Sequence, residues 1–175
     1  RQMCIRDSAT GAHTDNGTPH GYTSITPFLV VADPVAALAF YQDVFGARLI
    51  NSTAFGDVVV HAELEFAEGR LQLGAASPGY GTVAPDPDAD EVRFSLALYC
   101  PDVDAVTQRA VDAGATLREP VVNFVSGDRF ASIRDPFGIR WSIMTRVEDL
   151  SDAESDRRIK EWAAQQGLYL IHISE

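Results

Sequence analysis

The chain has 175 residues, 46% apolar and 22% charged, and 14 Lys and Arg against 25 Asp and Glu leave a formal charge of −11. This apolar content is enough to bury a core and excludes intrinsic disorder. The acidic balance excludes nucleic acid as the main partner, because phosphate binding needs a basic face.

The longest apolar stretch, Phe28 to Tyr41, is broken by Asp33 and Pro34 and falls short of the ~18 residues of a membrane span. A cytoplasmic protein that does not engage a membrane is expected. Cys4 and Cys100 are too few for a disulfide framework, and neither lies beside a Cys or His at zinc-ligand spacing.

In chain order, the first eight residues (RQMCIRDS) and the last eight (LYLIHISE) do not continue the patterns beside them. Both resemble translated adapter read-through at the edges of frames assembled from environmental (metagenomic) DNA. They are expected to be non-native, leaving Cys4 and His172 without a role. Residues up to 22 are rich in Gly, Thr, His and Asn and read as a flexible lead-in. Asn16-Gly17-Thr18 and Asn51-Ser52-Thr53 match the glycosylation triplet, with no secretory signal to give it meaning.

Ser24–Val31 has a strand pattern. Asp33 then caps a helix, with Pro34 at its first position, and Ala37, Phe40, Tyr41 and Val44 recur at i, i+3, i+4 and i+7 until Gly46 ends it. Strands follow over Arg48–Thr53, Val58–Phe66 and Arg70–Ala75. Residues 76–92, rich in Pro, Gly and Asp, form a linker.

The pattern then repeats. A strand over Arg93–Tyr99 leads to a helix that opens at Asp102 and closes at Gly114, offset by 69 and 68 residues from Asp33 and Gly46. Its apolar stripe, Val103, Val106, Ala110 and Ala113, is weaker. Strands over Thr116–Val122, Arg129–Arg134 and Arg140–Thr145 follow, the last two joined by the turn Asp135-Pro136-Phe137-Gly138. Each half reads β-α-β-β-β, which two copies mark as a duplication. Ser151-Asp152-Ala153-Glu154 is a capping box opening a C-terminal helix, residues 151–167. Its i,i+4 ion pairs support it, and Ile159, Trp162 and Ala163 give it a narrow stripe to dock on its own body or a second subunit.

The ordered motifs Thr26-Pro27-Phe28-Leu29-Val30-Val31, Ala39-Phe40-Tyr41, Phe45-Gly46-Ala47, Val60-His61-Ala62-Glu63-Leu64, Asp102-Val103-Asp104-Ala105, Ala113-Gly114-Ala115, Gly127-Asp128-Arg129 and Asp135-Pro136-Phe137-Gly138-Ile139-Arg140-Trp141-Ser142 carry a resemblance. Together, over about residues 23–150, the chain resembles the vicinal oxygen chelate (VOC) superfamily of glyoxalases, dioxygenases and bleomycin-resistance proteins. Within it the PhnB-like branch is the most similar. The resemblance implies an α+β fold in which tandem βαβββ modules, 23–75 and 93–150, form an incompletely closed mixed-sheet barrel. It further implies a ligand on the concave sheet face, and a homodimer.

Many relatives hold a divalent metal there with His and Glu side chains. The matching positions here are Thr26, then His61 or Glu63, then Ala97 and Ser142. One His beside one Glu is short of the three protein ligands of a catalytic ion, so no metal or other cofactor is expected. Strand alternation sets Val60, Ala62, Leu64 and Phe66 toward the helix, and likewise Leu71 and Leu73, and Phe94, Leu96 and Leu98. The other face then presents His61, Glu63, Gln72, Tyr99 and Ser142 as polar contacts for a small organic ligand. Three of these have a plainer alternative: His61 bonding a neighbouring Glu, Glu63 solvated, Tyr99 packing. Arg129 either pairs with Asp128 or binds an anion, and Trp141 has the parity of a core residue.

Three functions follow. The first is a metal-free binding protein. The second is a divalent-metal lyase, isomerase or dioxygenase using His61 and Glu63, with Glu63 as a candidate general base. The third is a methyltransferase, for which no glycine-rich strand-to-helix turn is present.

Overall fold

The computed structural model describes residues 8–166. The expected foreign ends therefore lie outside the described residues, except for Ser8, and so does Gly167 at the end of the expected C-terminal helix segment. The chain divides into two compact units between Pro85 and Asp86.

In the first unit, the segment read as a flexible lead-in holds a short hairpin, β1 (Thr14–Asp15) and β2 (Thr18–Pro19). Asn16 (φ 46°) and Gly17 (φ 81°) turn it. Two consecutive left-handed residues favour the twist of a tight hairpin, and Asn-Gly supplies them at least cost. The same dipeptide is also the start of the Asn16-Gly17-Thr18 triplet.

Next come β3 (Phe28–Val31), α1 (Pro34–Phe45), β4 (Arg48–Phe55), β5 (Val58–Glu65) and β6 (Arg70–Ala75). They form a four-stranded sheet in the order β3-β6-β5-β4, with β3 parallel to β6 and the other pairs antiparallel. Asp33 caps α1 by accepting from Ala36 N at 3.0 Å, and Gly46 ends it at φ 71°. The expected stripe of Ala37, Phe40, Tyr41 and Val44 is buried. Leu29, Val31, Ala62, Leu64, Leu71 and Leu73 complete the core, each large aliphatic contributing roughly 2 kcal/mol through burial.

One expected core position moves. The ladder jumps from Thr53↔His61 to Ala54↔Val59, leaving Val60 as the extra residue of a bulge. Val59 is buried in its place and Val60 is half-buried. Phe66 lies just beyond β5 and is also half-buried.

In the second unit, β7 (Ser95–Tyr99), α2 (Val103–Asp112), β8 (Thr116–Asn123), β9 (Asp128–Arg134) and β10 (Arg140–Arg146) give a second sheet, β7-β10-β9-β8, with β7 parallel to β10. Asp102 caps α2 through Ala105 N at 3.0 Å. Phe94 precedes β7 and is exposed, against the expected core placement. α3 (Asp152–Gln165) is capped by Ser151 Oγ, which accepts from Glu154 N at 3.3 Å. The helix docks on its own unit. Trp162 meets Phe124 edge-on at 5.1 Å between ring centroids, and Ser155 Oγ donates to the Ser126 carbonyl.

The duplication extends to individual ladder rungs. Phe28↔Gln72 is matched by Ala97↔Ser142, Glu63↔Gln72 by Ser132↔Ser142, and Glu65↔Arg70 by Arg134↔Arg140. The outer strands share an irregularity too: the shift between Leu49 and Asn51 is matched by one between Leu117 and Glu119. The fold is α+β, with two mixed sheets of like topology, neither closed.

Candidate functional site

Alternation assigns each sheet a helix-packed face and an open face. On the open face of the first sheet, Glu63 sits on β5, and it is 8% exposed rather than solvated. Gln72 Nε2 donates to its Oε1 at 3.3 Å, and Arg70 Nη1 stands 3.7 Å from its Oε2. His61 Nε2 is 3.9 Å from Oε1. A buried carboxylate needs such partners, because desolvation without them costs several kcal/mol.

The cluster has a closed end and an open end. At the closed end Arg70 also pairs with Glu65 at 3.4 Å, and the Tyr22 ring covers its guanidinium at 4.3 Å. Gly21 allows this approach: a Cβ there would come within 2.6 Å of Arg70 Nη2, and its φ is +86°. Arg48 pairs with Glu65 as well, and its hydrogen bond holds the Glu65 carboxyl below the usual carboxylate range. At the open end Phe28, an exposed ring, lies 5.9 Å from the His61 ring at 33°. Gly74 leaves this end low, since a Cβ on it would meet the Val60 carbonyl at 2.2 Å and Phe28 Cζ at 3.1 Å. The arrangement offers a hydrogen-bond acceptor beside two flat rings.

The structure therefore brings together His61, Glu63 and Gln72, three of the five residues singled out from the sequence. The other two belong to the second unit. Ser142 is half-buried on β10 between Ala97 and Ser132. Tyr99 is 55% exposed on the edge strand β7 and is not packed away. Sequence reasoning missed Arg70, Phe28 and Gly74. The Arg70–Glu65 rung and the Phe28–Gln72 rung are set by strand register, which no local motif announces.

The open face of the second sheet carries different chemistry. Arg140 Nε donates to Ser132 Oγ at 3.1 Å and Nη2 to Glu119 Oε1 at 2.8 Å. Arg134 donates to the Ala89 carbonyl and stands 4.0 Å from Asp90, which Arg118 also engages. Arg129 turns out to pair with Asp104, through Nε at 2.7 Å and Nη2 at 2.6 Å, not with Asp128. That fork holds the Asp104 carboxyl below its usual range. Asp128 is taken by Arg146 at 3.1 Å and by Ser126. Trp141 is a core residue whose indole donates to Asp135 Oδ2 at 2.9 Å.

Among the described residues the side-chain donors do not fit a divalent metal. Among the described residues no three His, Cys, Asp or Glu side chains gather closely enough to hold an ion. Thr26 lies outside β3, and Glu63 already has a guanidinium beside it. A cavity of about 370 Å³ beneath α3, lined by Phe124, Trp162 and Glu148 among others, contains none of the five expected residues. No helix among the described residues is long and apolar enough to cross a membrane.

The model of one protein family, the Glyoxalase/Bleomycin resistance protein/Dioxygenase superfamily, matches residues 14–143. The chain belongs to this superfamily. An uncharacterised protein of Mycobacterium bovis is 30% identical to this superfamily member over 132 residues, covering 73% of this chain and 86% of the relative. Among solved structures, TioX from a Micromonospora species is similar at 23% identity and TM-score 0.56, over 71% of this chain and 99% of that one. A Bacillus cereus PhnB protein is similar at 17% identity and TM-score 0.55, over 70% and 99%. An Arabidopsis thaliana gene product shares 25% identity at TM-score 0.55, over 70% and 98%. These structural likenesses support the glyoxalase-type fold derived above.

Proposed function

We propose that this superfamily member is a PhnB-like binding protein that holds a small organic molecule on the open face of its first sheet, without a metal. The observation that carries the reading is the Glu63 carboxylate, buried on an otherwise open sheet face and held by Gln72 and Arg70 beside the exposed Phe28 and His61 rings. Polar groups that converge next to an exposed aromatic surface orient flat organic ligands. The Glu63 acceptor selects a ligand with an N–H or O–H group near a planar ring. The Arg70 contact opposes a metal ion at the same carboxylate, since a second cation there would be repelled. The reading includes assembly as a homodimer, which light scattering of the full chain tests.

The deciding experiment combines elemental analysis with a ligand titration. The full chain is purified without chelator, its retained metal is measured, and a panel of planar phenols and aryl amines is then titrated by NMR. The expected result is no stoichiometric metal, and saturable shifts at Phe28, His61 and Gln72 that disappear in Glu63→Gln. Near-stoichiometric metal lost in His61→Ala overturns the reading in favour of a metalloenzyme. Saturable shifts elsewhere, with none at these residues, overturn the site.

A further inference from the structure

The two open faces balance their charge differently. In the first unit, Glu65 pairs with both Arg48 and Arg70 in one row, and Glu63, two rungs away, supplies the second carboxylate that balances the two arginines within the sheet. In the second unit the matching row is Thr116, Arg134 and Arg140. An arginine stands where the glutamate was, and the row contains no acid. Arg118, at the bulge beside it, adds a third guanidinium.

The counter-charge is supplied from two sources. Glu119, on β8, pairs with Arg140. Asp90, on the coil ahead of β7, reaches Arg118 and Arg134. Asp90 differs from a core ion-pair partner in its own surroundings. Its side chain is 78% exposed, whereas that of Arg134 is 14% exposed and that of Arg118 is 28% exposed. The cations are part of the sheet surface and the carboxylate rests on them from the solvent side. Guanidinium groups in this setting bind any small oxyanion of suitable geometry, because their planar forks match carboxylate and phosphate alike.

We propose that Arg118 and Arg134, flanked by Arg140, form an oxyanion-binding site for the carboxylate or phosphate group of a small molecule, with Asp90 as its displaceable internal occupant. The site belongs to the second unit alone and does not rest on the binding role given to Glu63. Asp90 competes with the incoming anion, so removing its charge frees the site.

The test is calorimetric titration of the full chain with sodium phosphate and, separately, sodium succinate. Ionic strength is held constant with sodium chloride, so that general screening does not vary. One saturable anion per chain is expected. Asp90→Asn is expected to tighten it about tenfold by removing the competing state. Arg134→Gln and Arg118→Gln are each expected to weaken it about tenfold, through loss of a charge-assisted contact. Preference for phosphate or for succinate identifies the group, and either supports the site. Failure of both anions to saturate overturns the proposal, as does an affinity unchanged in Asp90→Asn. Should Arg134→Gln fail to fold, the less buried Arg118→Gln carries the test, and unaltered binding in that variant is equally fatal.

Discussion

The first and second sheets are copies of one ladder with opposite solutions on their open faces. Glu63 and Glu65 in one correspond to Ser132 and Arg134 in the other, while Arg70 and Arg140 hold the same place. The helix-packed faces did not diverge in character: Ala62, Leu64 and Leu73 are matched by buried Ala131, Ile133 and Ile143. Packing constrains a core side chain by volume, whereas an open-face side chain is free to change charge as long as a partner can be found. Duplication thus preserved the framework and left two chemically distinct surfaces.

The two modules also differ at the hairpins joining their third and fourth strands. In the second module Asp135 is 2% exposed and accepts from Phe137 N, Ile139 N and Trp141 Nε1, each at 2.9 Å. The first module turns with a backbone bond from Phe66 N to Gly69 O at 3.1 Å. Asp135→Ala should therefore cost about 3–4 kcal/mol in chemical denaturation, because it leaves buried donors unpaired. A loss below about 1 kcal/mol would show that the turn holds without its carboxylate.

Gly74 and Met144 occupy matching rungs, opposite Val30 and Tyr99. A Cβ on Gly74 would collide with the Val60 carbonyl, so Gly74→Ala should destabilise by about 2 kcal/mol. Met144, half-buried, should tolerate Ala at about 1 kcal/mol. Equal costs in thermal melts would argue against the bulge at Val60.

Glu63→Gln should cost about 1–2 kcal/mol, since it leaves Arg70 with Glu65 as its remaining carboxylate partner. Ser132→Ala, the matching change, removes a single neutral acceptor from Arg140 and should cost about 1 kcal/mol. The smallest effect concerns α3. Its Glu154 carboxyl is lowered to about 2 by hydrogen bonds from Arg157 and Arg158. A depressed carboxyl stabilises the fold fully above its ordinary value of 4.5, and that contribution fades as pH falls toward about 2. Carboxyl-carbon NMR should give a Glu154 midpoint near that lower value; a midpoint near 4.5 would mean the ion pairs do not persist in solution.

Much of the framework was legible because its signals are local. Asp33, Gly46, Asp102 and Ser151 act within a turn of their own positions, so caps and helix ends could be read from neighbouring residues. The apolar alternation of β6 needed only its own sequence. The rest depends on register. Val60 became a bulge because of how β5 pairs with β4, which moved Val59 inward. Glu63 was set on the correct face by alternation, yet its burial comes from Arg70 and Gln72 on another strand. Asp90 lies in a segment read only as a linker, and its ion pairs appear once Arg118 and Arg134 are placed beside it.

The repeated bulge has a consequence for how the molecule behaves in a crowded solution. An open sheet ends in unpaired backbone donors and acceptors, a template on which further chains can stack. Here two of the sheet ends are β4 and β8, and both are broken in register near their starts, with Pro120 further interrupting β8. A kinked rim with a missing amide donor makes a poor template for a straight incoming strand. Copying the module copied the register break, so the rim formed by β8 is as irregular as the one formed by β4.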